Sequence, residues 1–332
     1  MEIYNHIIEL DRDMSEYFDD QDVCFLDIET TGLSPKYNQI YLIGLMYPDK
    51  ENQSWHLNQI FAHNLKDEGK VLQALNNHID QFDLIITYNG SSFDLPFIHR
   101  RSVEYSIDSG ILDIETFDIY RRISEQKPYL DFENLRLKTI EKQLGIHRGD
   151  QYSGRDCIDF YYRYMHGGDE GLRDRILKHN YDDLYYLPSI MNIFNHIRDV
   201  KSVEVPYKQD LIEVQIKEIV ENEDILRIEC KALDIDDHTD IIYYQDGFNI
   251  NWRKDNFLTV ELEFNKGMIT PTRKCSFIYK DSMPAIGSLN DSSQFMVPEN
   301  IILLKVENKY EMNNIKKILS SLIRYIFTEQ NK

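Results

Sequence analysis

Unbroken apolar character over Val23-Cys24-Phe25-Leu26 gives way to the alternation Asp27-Ile28-Glu29 and then to Thr30-Thr31-Gly32-Leu33. A continuous apolar run with an aromatic and a β-branched residue reads as a strand buried on both faces. Residues 39–47 repeat that character as a second buried strand and residues 55–61 as a third, with Pro48-Asp49-Lys50 turning between them. Val71, Leu72, Leu75 and Ile79 recur at helical spacing and predict a helix over about 67–81. A strand at 84–88 follows, then the loop 89–94, which opens a helix over about 95–103 with Pro96 in its first turn. A further strand at 111–117 leads into helices near 134–144, 157–165 and 170–196, and residues 1–20 read as a short helical lead-in. Three strands, a helix and then alternating strands and helices predict a mixed α/β sheet with helices packed on it.

Past residue 200 the period shortens to two. Leu226, Ile228 and Cys230 alternate with polar neighbours, as do Val260, Leu262 and Phe264, which is the pattern of strands with one wet face. Asp246-Gly247 and Asn265-Lys266-Gly267 are hairpin signals. The expected second domain, 201–332, is smaller, mostly antiparallel β, and ends in an amphipathic helix whose stripe is Ile315, Ile318, Leu319, Leu322, Ile323 and Ile326. Tyr243, Tyr244, Phe248, Trp252, Arg253, Lys254 and Phe257 interleave aromatic and basic residues around the first hairpin. They fit either a base-stacking platform for a single strand or, as such residues more often do, core and cross-strand pairs.

Composition adds bounds. The 332 residues are 42% hydrophobic and 12% aromatic, enough for two cores. No run of 18 apolar residues exists and the N-terminus lacks a basic-then-apolar layout, so no membrane association and a cytoplasmic location are expected. Cys24, Cys157, Cys230 and Cys275 are far apart and form no CxxC pair, which argues against disulfides and a zinc ribbon. The net charge of −20 opposes phosphate binding at first sight. Its distribution changes that picture: residues 201–332 hold 22 acids and 17 lysines and arginines, which leaves 35 acids and 20 bases in 1–200.

Chemistry concentrates where the excess lies. Side chains alternate along a strand, so Asp27 and Glu29 point the same way, with Cα atoms roughly 6.6 Å apart. That spacing suits two ions about 3.5–4 Å apart. Two carboxylates at the end of a buried strand stay ionised only with positive charge between them, and oxygen-only ligands favour Mg²⁺ or Mn²⁺ over Zn²⁺. Asp94, after the fourth strand, and Asp183, on the last helix of the first domain, supply two more carboxylates. Alone, Asp94 would be a helix cap and Asp183 a solvated helix residue. Four carboxylates against two divalent ions balance at zero charge and suit in-line attack of activated water on a phosphodiester.

Asp27-x-Glu29-Thr-Thr-Gly-Leu, then Asn89-x-x-x-Phe93-Asp94, then Asp183 resemble the three motifs of the DnaQ-like (DEDD) 3′–5′ exonucleases, which have the ribonuclease H-like fold. The stretch 137–146, before the last motif, is similar to the bacterial YprB-like branch. The resemblance covers about residues 20–200. It implies a ribonuclease H-like mixed central sheet flanked by helices over 21–200, with the β-rich accessory domain after it. It implies that Asp27, Glu29, Asp94 and Asp183 hold two Mg²⁺ or Mn²⁺ ions, that Thr30 and Leu33 line the terminal-nucleotide pocket, and that Asn89 and Phe93 hold the scissile end.

The family places a tyrosine four residues, or a histidine five residues, before the last aspartate. Here His179 stands four before, with Lys178 at five. Histidine accepts a proton near neutral pH far better than tyrosine, so His179 is the expected general base or water-orienting group. A histidine merely satisfying a helix contact is the bland alternative, and Tyr181 the substitute. Lys138 either touches a phosphate or is a solvated helix lysine. The expected activity is hydrolysis from the 3′ end of DNA, single-stranded, in repair or nucleic-acid processing, with a protein partner possible through the β domain. An RNA-processing exonuclease and a non-catalytic nucleic-acid or protein adaptor are the alternatives.

Overall fold

The computed structural model describes all residues except 150–151, 208–209, 234, 236–238 and 331–332. The chain divides into two units, the first comprising Met1–Ser124 and Glu133–Ile193, the second Glu125–Phe132 and Phe194–Lys332.

In chain order the first unit holds β1 (Glu2–Ile8), α1 (Ser15–Phe18), β2 (Val23–Thr30), β3 (Ile40–Asp49), β4 (Ser54–Phe61), α2 (Glu68–Ile79), β5 (Leu84–Thr87), α3 (Asp94–Glu104), β6 (Glu115–Asp118), α4 (Ile119–Glu125), α5 (Leu137–Gln143), α6 (Gly154–Gly167) and α7 (Glu170–Ile190). Its six strands form one mixed sheet in the order β1-β4-β3-β2-β5-β6, parallel at β2–β5 and β5–β6 and antiparallel elsewhere. Helix α7 lies against β2, β3 and β4, α2 against β3 and β4, and α6 against α7. The expected mixed α/β sheet with packed helices is therefore present.

Several expectations need correction. Residues 1–20 are not a helical lead-in: Glu2–Ile8 pairs antiparallel with β4 as an edge strand, and only one turn, α1, is helical. Seven residues of alternating exposure suit a half-buried edge better than a helix. The strand expected at 111–117 shrinks to Glu115–Asp118, and the helix expected at 134–144 to Leu137–Gln143. The helix expected at 170–196 is two, α7 and then α8 (Asn192–Lys201), with the break at Met191. Pro188, in the last turn of α7, has no N–H to offer the Leu184 carbonyl, so the end of that helix is short of one ladder bond.

The second unit contains β7 (Ser202–Tyr207), β8 (Asp210–Asn222), β9 (Ile225–Ala232), β10 (Ile241–Gln245), β11 (Phe248–Trp252), β12 (Phe257–Glu263), β13 (Asn265–Thr270), β14 (Arg273–Tyr279), β15 (Ile301–Val306), β16 (Lys309–Tyr310) and α9 (Met312–Gln330). They form an antiparallel six-stranded sheet, β10-β11-β12-β9-β8-β7, and an antiparallel four-stranded one, β13-β14-β15-β16. All six stripe residues of α9 are buried in the core between these strands. Asp246-Gly247 makes the β10–β11 turn as expected. Asn265-Lys266-Gly267 does not turn, because it lies within β13 and β12 and β13 belong to different sheets. Gly267 is there for room: a Cβ would stand 3.0 Å from the Phe277 ring.

The aromatic-basic run does not form one surface. Phe248 and Trp252 are core residues, with Trp252 against Tyr207 and Phe327, whereas Tyr244 is 75% exposed and Phe257 sits outside with Arg253 and Lys231 beside its ring. Within β11 alternation buries Phe248, Ile250 and Trp252 on one face, while in β10 it leaves Tyr244 on the outer one. The four cysteines are free and buried.

Candidate active site

Strand β2 sits at the centre of the first sheet, and its bulge falls between Glu29 and Thr30 at the register Asp27↔Gly44, Glu29↔Leu42. Gly44 has no side chain to oppose Asp27. A Cβ there would stand 2.4 Å from both Asn180 Oδ1 and Leu184 Cδ1. This gap lets α7 close onto the sheet. Asn180 Nδ2 then donates to Asp27 Oδ2 at 2.8 Å, while its Oδ1 accepts from Gln59 Nε2 at 2.8 Å, which also bonds the Leu177 carbonyl.

The seating of α7 brings His179 and Asp183, one turn apart, to the same place. One carboxylate oxygen each from Asp27, Glu29 and Asp183 lie within 4.8 Å of one another. His179 Nε2 is 3.6 Å from Glu29 Oε1 and 3.6 Å from Asp183 Oδ2. The Tyr41 hydroxyl is 3.4 Å from Glu29 Oε2. Cys157 Sγ closes a second, buried group with Glu29 and His179 within the same 4.8 Å, so a soft donor lies beside the hard ones.

Asp94 opens α3 and accepts from the Ile28 N–H at 3.2 Å, which ties it to β2 between the two acids. The loop before it is held by Asp118, whose carboxylate accepts from the N–H groups of Asn89, Ser91 and Arg121 at 2.9, 3.0 and 3.2 Å. Asn89 is exposed and left-handed, φ +69°, a conformation asparagine tolerates. Phe93 packs at the margin of the core against Phe97. Thr30 is buried and its hydroxyl donates to the Gly32 carbonyl at 2.8 Å, closing the turn that leaves Leu33 85% exposed. Lys138 is exposed and donates to the Tyr152 carbonyl, and the Tyr181 ring packs between His6 and Tyr185.

The acids repel one another. Burial pushes the Asp27 carboxyl well above the usual range, and the charges of Asp183, Asp94 and Glu29 push it further, against the Asn180 bond. Burial raises Glu29 to about 8, opposed by His179. Asp94 rises to about 7 for the same reason, opposed by the Ile28 N–H. A divalent cation held among Asp27, Glu29 and Asp183 would offset this repulsion and restore their ionisation.

Sequence reasoning missed four participants. Gly44, Asn180 and Gln59 seat the helix, and Arg148, on the segment after α5, donates to Asp183 and to Glu141. The adjacency His179-Asn180 one turn before Asp183 was a usable signal for Asn180. Arg148 stands 35 residues before Asp183 and carried none.

Among solved structures, the family B DNA polymerase of Pyrobaculum calidifontis matches at 14% identity and TM-score 0.39, over 53% of this chain and 24% of the polymerase. E. coli exonuclease I in complex with a dT13 oligonucleotide matches at 13% identity and TM-score 0.34, over 63% of this chain and 55% of the exonuclease. The chain thus spans about a quarter of the one and about half of the other, and likenesses this remote do not bear on function. No curated protein matches the chain. Among the described residues no helix is long and apolar enough to cross a membrane. Residues 24–195 match the RNase_H_2 model of the RNase_H superfamily, and since that segment is more than half of the 332 residues and contains all four acids, the chain belongs to the RNase H superfamily.

Proposed function

We propose that the protein is a metal-dependent 3′–5′ exonuclease of the DnaQ-like, YprB-like type, acting on single-stranded DNA, with residues 21–200 as the exonuclease domain and 201–332 as a β-rich accessory domain. One observation carries the reading: Asp27, Glu29 and Asp183 converge within 4.8 Å from two distant parts of the chain, with an imidazole 3.6 Å from two of them. Such convergence of like charges, with Glu29 buried and Asp27 and Asp183 partly so, is costly unless a cation is to be held.

Asp27, Glu29, Asp183 and the adjoining Asp94 are the residues that would hold two Mg²⁺ or Mn²⁺ ions. When bound, these ions activate water and neutralise charge on the scissile phosphate and the leaving oxygen. His179 accepts the water's proton at Nε2, where Glu29 and Asp183 favour the imidazolium that results. Asn180 keeps Asp27 oriented. Leu33 projects from the turn after β2 where a terminal base can lie against it, with Thr30 fixing the turn, and Asn89 and Phe93 bound the strand's end next to Asp94. Lys138 stands at the margin as a phosphate contact.

End-labelled DNA and RNA oligonucleotides incubated with Mg²⁺ or Mn²⁺ test this. A 5′-labelled DNA strand should shorten stepwise, and Asp27→Ala should leave it intact. A ladder from RNA alone would move the substrate to RNA. No ladder from either polymer would leave a non-catalytic adaptor.

A further inference from the structure

Arg148 is a buried arginine with no part in the chemistry above. Its side chain is 6% exposed and the Glu141 side chain 3%. Nε donates to Glu141 Oε2 at 2.9 Å and Nη2 stands 2.7 Å from Oε1, so α5 grips two of the three guanidinium nitrogens. The third, Nη1, donates to Asp183 Oδ1, while Oδ2 of the same carboxylate is the oxygen near His179.

We propose that Arg148, anchored by Glu141, is a positioning residue for Asp183: it takes one carboxylate oxygen and thereby presents the other to the cation site. This rests on the metal-dependent reading above. A planar fork held at two corners has one orientation, and Arg148 keeps its charge at any working pH. Because Glu141 cancels that charge, the pair adds no net positive field. The four site acids remain matched to two divalent ions. Hydrogen bonds to the outer oxygen of a ligating carboxylate set its rotamer, and their loss weakens metal binding by roughly 10- to 100-fold.

The test is Mn²⁺ titration of the full chain by calorimetry, with electron paramagnetic resonance counting free ion. Wild type is compared with Arg148→Gln, Arg148→Lys and the double variant Glu141→Gln/Arg148→Gln, which removes both buried charges together and stays informative should the single variant unfold. Arg148→Gln and the double variant should bind Mn²⁺ roughly 10- to 100-fold more weakly. Arg148→Lys should regain only part, because an ammonium cannot fork. Oligonucleotide KM at saturating Mn²⁺ should stay unchanged. Mn²⁺ binding as tight as wild type, or tighter, in both glutamine variants would overturn the proposal and make Arg148 a competitor of the ion. A raised KM with unaltered Mn²⁺ affinity would overturn it in favour of a phosphate contact. Wild-type protein that binds no Mn²⁺ would sink the metal reading itself, a separate result.

Discussion

Asn180 donates to Asp27 across 153 residues of sequence, at 2.8 Å, and in doing so sets the helix that carries His179 and Asp183 at its proper height on strand β2. The two ends of the site are thus held by a contact that is not itself part of the chemistry.

Mutual repulsion in the cluster predicts a trade between stability and activity. Asp27→Asn keeps the shape and an acceptor for Asn180 but removes one buried charge. Thermal melts of the metal-free variant should show it more stable than wild type by about 1 kcal/mol, while the oligonucleotide ladder disappears. A variant less stable than wild type without metal would contradict the repulsion.

The raised carboxyls give a pH dependence of definite sign. Glu29 and Asp94 bind protons more tightly in the folded chain, at about 8 and about 7, than their ordinary values of 4.5 and 3.8. Their contribution to stability is therefore complete below about pH 4 and is lost as pH rises toward 8, by up to about 1.4 kcal/mol per pH unit for each group. Melting of the metal-free protein should fall from pH 5 to pH 8. Added Mg²⁺ should recover more of the loss at pH 8 than at pH 6, since it binds only the ionised acids.

Gly44 tolerates no side chain without moving α7. Gly44→Ala should cost about 1–3 kcal/mol in urea unfolding, as overpacking does, and should reduce nuclease activity although residue 44 touches no substrate. An alanine variant with wild-type stability and turnover would show that α7 has slack there.

Glu68 is fully buried and accepts from the Ile40 N–H at 2.8 Å, Gln39 Nε2 at 2.9 Å and Arg101 at 2.8 and 2.6 Å. The pair joins α2, α3 and the start of β3. Arg101→Leu strands a carboxylate in the core and should cost about 3–5 kcal/mol, whereas Glu68→Leu/Arg101→Leu should recover much of that. Chemical denaturation of the single and double variants decides it.

What the sequence by itself determined was whatever depends on near neighbours. The buried strands at 23–30 and 40–49, the helix at 68–79, the α9 stripe and the alternation beyond 200 follow from residues one to four apart. Asp27 and Glu29 share a face because strands alternate. Chain folding alone decided the rest. Residues 2–8 became a strand because β4 offered an unpaired edge, 265–267 ran straight because β13 joined a second sheet, and 125–132 left the first unit for the second. At the site the acids were legible, while Gly44, Gln59 and Arg148 were not. Their roles come from close approach and hydrogen-bond geometry between segments far apart in the chain, which residue order does not encode locally.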